Sequence, residues 1–176
     1  MTGSVFHRQS TSEEGHQLVF DVDALLALSP DTLPGFQKAY SAFIDYKTES
    51  ADLGNIPAPE NHIQMEYASV VDLFGKDKPN HFPKPGAKKE KLHHVHVFDG
   101  KTDQELDAWV SKAQSRRVCD TLLFYSYFEF QGIHHFFILQ FVLDPDGHDF
   151  QNEDGNMKNL VERASAYRAG ILSGQI

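Results

Sequence analysis

Histidine is the side chain this sequence concentrates. Ten occur in 176 residues, and His93, His94, His96, His134, His135 and His148 all fall in the second half. An imidazole, with a reference pKa of about 6.5, gives or takes a proton at working pH. Residues 92–98 alternate, which predicts a strand with Val95 and Val97 on one face and His94 and His96 on the other. Residues 121–130 alternate too, with Leu122, Phe124, Phe128 and Phe130 opposite Tyr125, Tyr127 and Glu129. If the two strands share a sheet, the imidazoles and the tyrosines share a polar face. Arg116 and Arg117 stand just before the second strand, where Asp120 can hold the Arg117 guanidinium.

Three functions suit that set. RNA cleavage needs a base for the 2′-hydroxyl, an acid for the leaving 5′-oxygen and a cation for the phosphorane charge. His94 or His96 would be base or acid, and Tyr125 a second proton-transfer or base-stacking group. Arg117 would supply the cation, Asp120 would orient it, and His148 would be a further acid. Lys88, Lys89 and Lys91, with Arg116 and Tyr127, would then touch RNA without reading bases. A metal-dependent hydrolase is the second function: His94 and His96 grip one ion, with His148 or Asp146 as third ligand. The third is a protein-binding module without catalysis, whose histidines only fill a sheet surface and whose apolar residues 18–28 form a docking edge.

The elements that must position these groups follow from periodicity. Residues 1–17 are polar and aperiodic, a flexible tail before a single domain over 18–176. Residues 18–22 suit a short strand, and Asp23 a cap for a short helix over 24–28. Asp31, Thr32 and Pro34 start a helix carrying Leu33, Phe36, Tyr40, Phe43 and Ile44 inward and ending near Lys47. Residues 48–91 are a long connection rich in proline and lysine, in which Asp72-Leu73-Phe74-Gly75 and Asn80-His81-Phe82-Pro83 suit turns anchored by a docked aromatic. Residues 103–113 have helical spacing around Leu106, Trp109 and Val110. Gln131-Gly132 turns the second strand into a third over 133–143. A last helix over 156–169 buries Met157, Leu160, Val161, Ala164 and Tyr167 and stops at Gly170. The class is α+β: N-terminal helices, a mostly antiparallel sheet and a closing C-terminal helix, with helices on one sheet face and the other partly open.

Composition narrows the setting. An apolar fraction of 40% supplies a core and argues against a disordered chain. No apolar run approaches the ~18 residues of a membrane span, and the first residues hold no apolar signal segment. The single Cys119 excludes an internal disulfide and suits a reducing cytoplasm. A net charge of −9 opposes free nucleic acid, yet the segment from Lys76 to Arg117 is locally basic.

Several short motifs, in order, resemble one family. Phe43-Ile44-Asp45-Tyr46-Lys47 is similar to the end of the first helix in YafO-type toxins of toxin–antitoxin modules. Asp72-Leu73-Phe74-Gly75-Lys76-Asp77 resembles their phenylalanine–glycine loop, and His94-Val95-His96-Val97 their histidine–x–histidine strand. Arg117-Val118-Cys119-Asp120 with Leu123-Phe124-Tyr125 resembles the next segment, although Val118-Cys119 replaces a hydroxyl-bearing pair. Asp144-Pro145-Asp146-Gly147-His148, Asn156-Met157 and Ala166-Tyr167-Arg168 resemble the C-terminal signature. Residues 100–114 look like an insertion, and the first thirty residues have no counterpart. The resemblance implies an mRNA interferase that cuts message on the ribosome in the cytoplasm. It further implies silencing by a cognate antitoxin in a hetero-oligomeric complex, no metal or other cofactor, and a fold compatible with RelE-like microbial ribonucleases.

Overall fold

The computed structural model describes residues 5–13 and 15–176, with side chains in the first strand described over 8–10 alone. Six strands form one sheet: β1 (Val5–Glu13), β2 (His16–Asp23), β3 (Phe74–Pro79), β4 (His93–Val97), β5 (Leu122–Phe130) and β6 (Ile133–Val142). Their order is β1-β2-β6-β5-β4-β3, and every neighbouring pair is antiparallel except β2 with β6. Six helices accompany it: α1 (Leu33–Asp52), α2 (Asn61–Glu66), α3 (Gly86–Lys89), α4 (Asp103–Val110), α5 (Gly147–Asn152) and α6 (Asp154–Leu172). The α+β class and the closing helix are as expected. No helix among the described residues is long and apolar enough to cross a membrane.

Four local expectations change. The polar stretch expected as a tail makes β1, because its backbone pairs with β2 and Arg8 forms a two-point ion pair with buried Asp21, both contacts at 2.8 Å. Residues 1–4 lie outside the described residues. Residues 24–28 make a turn instead of a helix: Asp23 Oδ1 accepts from the Leu25 amide at 2.9 Å and competes with helical bonding. Strand β3 was hidden by its proline and three polar residues, which suit an edge strand. Helix α6 runs through Gly170 to Leu172, since Ile176 packs against Gly170.

Both faces of the sheet are covered, not one. On the first face Phe36, Phe43 and Tyr46 of α1 pack on Phe20, Val95, Val97, Leu123, Tyr125, Tyr127 and Phe136. On the second, Met157, Leu160, Ala164 and Tyr167 of α6 pack on Leu122, Phe124, Phe137 and Leu139. The tyrosines misled the pattern. A phenol ring packs like phenylalanine once its hydroxyl has one partner, so Tyr125 and Tyr127 mark a core face and not a wet one.

For Tyr125 that partner is a buried ion pair. Lys47 Nζ and the Asp77 carboxylate are both fully buried and 2.6 Å apart. Lys47 also donates to the Pro57 carbonyl at 2.7 Å and the Tyr125 hydroxyl at 2.8 Å, and lies over the rings of Tyr46 and Tyr125. Tyr125 donates to Asp77 Oδ1 at 2.8 Å and Tyr46 to Oδ2 at 3.0 Å. Burial opposes the Asp77 charge, but Lys47 and then His93 outweigh it and hold the carboxyl well below its usual range. Burial pushes Lys47 down, with Asp77 opposing. The network ties α1 to β3 and β5 and gives the first, second and fourth family motifs a structural role. Lys47→Met leaves a buried carboxylate unpaired and is expected to cost about 3–5 kcal/mol in urea unfolding. Adding Asp77→Leu should recover most of that loss; additive losses would contradict the pairing.

Candidate functional site

Strand register decides which candidates meet. Residue His93 of β4 lies opposite Tyr125 of β5, His94 opposite Phe124 and His96 opposite Leu122. His94 and His96 therefore share the second face with Phe124, while Tyr125 and Tyr127 lie on the first. The expected common face does not exist. The tyrosines are sealed under α1, where Tyr125 serves the Lys47–Asp77 network and Tyr127 bonds His134 Nδ1 at 2.8 Å. Neither can touch a substrate.

Arg117 is also misplaced by the sequence reading. Its guanidinium is buried, and Nε and Nη2 donate to the carbonyls of Lys112 and Val110 at 3.0 and 2.9 Å, closing the end of α4. Asp120 does not hold it. The Arg117 carbonyl accepts from Lys76 at 2.9 Å, and a Cβ on Gly75 would stand 2.0 Å from that oxygen, so only glycine permits the crossing. The apparent insertion thus docks on the phenylalanine–glycine loop, where Trp109 Nε1 donates to the Asp72 carbonyl at 2.8 Å. Lys88, Lys89, Lys91 and Arg116 are exposed, and Lys91 sits over the Tyr127 ring.

Four candidates do converge. His94 and His96 have ring centroids 5.5 Å apart, and His96 and His148 5.6 Å. His148 Nδ1 makes a very short contact with Asp120 Oδ1, and both side chains are about two-fifths exposed. A Cβ on Gly147 would come 2.0 Å from the Asp120 carbonyl, so this glycine lets the start of α5 close onto the strand end. His94 Nδ1 lies 2.9 Å from Asn80 Oδ1, which also accepts from Gln151 at 2.8 Å. His96 Nδ1 lies 2.8 Å from the Cys119 carbonyl and 3.1 Å from its amide. Cys119 acts here through its backbone. Burial pushes its thiol up to about 12, and it is the backbone of this residue that holds His96.

Burial pushes His94 down to about 3, with His96 and Lys78 adding to the effect. It pushes His96 down to about 4, against the Cys119 carbonyl and with His148, Lys78 and Lys76 assisting. Both rings are neutral at pH 7 and sit behind the surface. Their neighbours Asn80, Gln151 and His148 line an open cavity of about 570 Å³, together with Lys78, His81, Phe82 and Asp154 among others. Lys78, Asn80, His81 and Gln151 were not singled out as site residues, because β3 and the contact of α5 with β3 carry no periodic signal. Among the described residues, no three histidine, cysteine, aspartate or glutamate side chains are grouped as ligands for a metal ion.

Residues 45–169 match the family model described as Toxin YafO, type II toxin-antitoxin system. The chain belongs to this family. No curated protein and no solved structure matches it. The toxin's membership implies a cognate antitoxin as partner. The match also spans the Asp120–His148 pair and the cavity before it, whereas β1, β2 and most of α1 precede it.

A histidine whose folded pKa is depressed binds its proton more readily unfolded, so stability rises with pH through that window. For His94 and His96 the contribution is complete above about 6.5 and is lost as pH falls toward 4 and 3. The urea midpoint of the toxin should fall between pH 6.5 and 4.5, as the unfolding free energy drops by up to roughly 1.4 kcal/mol per pH unit for each such ring. A midpoint flat across that range would contradict buried, neutral imidazoles.

Proposed function

We propose that the toxin is an endoribonuclease that cuts mRNA by attack of the ribose 2′-hydroxyl on the adjacent phosphate. The observation that carries this reading is the Asp120–His148 pair at the edge of an open cavity. Asp120 fixes the ring through Nδ1, which leaves Nε2 to exchange a proton with the substrate. His148 and His81 are imidazoles that line the cavity, so one takes the 2′-hydroxyl proton and the other protonates the 5′-oxygen. Lys78, on the cavity wall, supplies the cation for the phosphorane in place of Arg117. His94 and His96 become positioning residues, a neutral layer behind His148.

The chain's net charge of −9 weakens its hold on free RNA, which favours a substrate presented on the ribosome in the cytoplasm. Exposed Lys88, Lys89, Lys91 and Arg116 then contact phosphates of that assembly.

Inducible expression with mapping of RNA ends tests the assignment. His148→Ala should lower cleavage by about 10²–10⁴-fold and relieve growth arrest, with a urea midpoint near that of the parent chain. Asp120→Asn should fall in the same direction. Arg117→Ala should act differently, by lowering stability as α4 loses its cap. Full toxicity of both His148→Ala and Asp120→Asn would overturn the site.

A further inference from the structure

The segment Asn80-His81-Phe82-Pro83 has the composition of a turn anchored by its aromatic, and Phe82 does the opposite. Phe74, in the comparable loop, is fully buried, whereas Phe82 is 66% exposed. The loop needs no such anchor. The Asn80 amide donates to the Leu92 carbonyl at 2.7 Å, and the Pro83 carbonyl accepts from Ala87 at 2.9 Å, so backbone bonds hold it on both sides. Phe82 therefore presents a water-exposed ring from a braced backbone, on the wall of the cavity that holds His148. Lys84 Nζ stands 5.2 Å from the ring centroid, which covers one face at most. In the lining of the same cavity, Asn80 is 4% exposed and its Nδ2 has no hydrogen-bond partner, a buried donor left unused. A free π-face next to an amide with a spare donor is the pairing by which proteins take single-stranded RNA, through stacking on the ring and bonding to the base edge.

We infer that Phe82 is the stacking surface of a nucleobase subsite, which seats one unpaired base of the RNA strand whose phosphate faces His148 and Lys78. This rests on the ribonuclease reading. Asn80 and Gln151 face the edge of the seated base and set any preference among bases. Lys84 contacts the backbone of the same nucleotide.

The full-length Phe82→Trp variant tests this. The chain's other tryptophan, Trp109, is buried in the fold and gives a constant background. A hexamer of 2′-O-methyl ribonucleotides serves as the probe, because its blocked hydroxyl prevents cleavage. The hexamer should quench Phe82→Trp saturably and leave the parent chain unchanged. A hexamer abasic at every position should bind about 5- to 100-fold more weakly, the range that base–aromatic stacking supplies. Phe82→Ala should lose a similar factor in binding the labelled hexamer, and Phe82→Tyr should restore it. No quenching, or equal affinity for the abasic strand, overturns the subsite. The two readings separate cleanly. If His148→Ala abolishes cleavage while Phe82→Trp is unquenched, the nuclease stands and the subsite falls. If His148→Ala stays toxic while quenching is base-dependent, the subsite stands as an RNA-binding site and the nuclease falls.

Discussion

Covering both faces of one sheet leaves very few places on that sheet where an ionisable side chain can meet water. Helix α1 seals the first face and α6 the second, so a charge carried mid-strand must be paired inside or neutralised. The chain uses both solutions. Lys47 and Asp77 pair on the first face, and His94 and His96 stay neutral on the second. A titratable pair that reaches water is thereby left to the strand ends, where Asp120 precedes β5 and His148 follows β6.

Two close backbone approaches build that end of the molecule. Gly75 lets β3 cross the Arg117 carbonyl, which brings Lys78 and Asn80 alongside β4. Gly147 lets α5 touch the Asp120 carbonyl, which brings His148 to its carboxylate. Any larger side chain at either position meets backbone, which cannot move aside as a flexible side chain can. Residues far apart in sequence thus line one cavity because two short segments carry no Cβ where they cross. Arg117 contributes its backbone carbonyl to one crossing while its guanidinium closes α4, a use unrelated to phosphate charge.

Much of the fold was legible, and the reason is periodicity. The alternation in β4 and β5, the tight turn at Gln131-Gly132, the inner face of α6 and the stripe of α1 from Phe36 to Ile44 appear in the structure as expected, whereas Leu33 is exposed and α1 runs past Lys47 to Asp52. What periodicity cannot give is partner and direction. It put His94 and His96 on one face correctly, but the register that opposes His93 to Tyr125 places the tyrosines on the other. It treated phenol hydroxyls as wet, when Lys47 and Asp77 from distant segments satisfy Tyr125 inside. It paired Asp120 with Arg117 by proximity in sequence, whereas the carboxylate meets His148 across 28 positions of chain. Edge strand β3, short and polar, offered no pattern, and the cavity residues Lys78, Asn80 and His81 were lost with it.

The chemistry of the cut ends tests the central claim most directly. Attack by the 2′-hydroxyl, with proton transfer by His148, leaves a 5′-hydroxyl on one fragment and a 2′,3′-cyclic phosphate or 3′-phosphate on the other. RNA from cells expressing the toxin, ligated selectively for each end type, should show new 5′-hydroxyl ends that vanish with His148→Ala. New 5′-phosphate ends bearing 3′-hydroxyl partners would require attack by water instead, and would contradict the roles given to the His148–Asp120 pair.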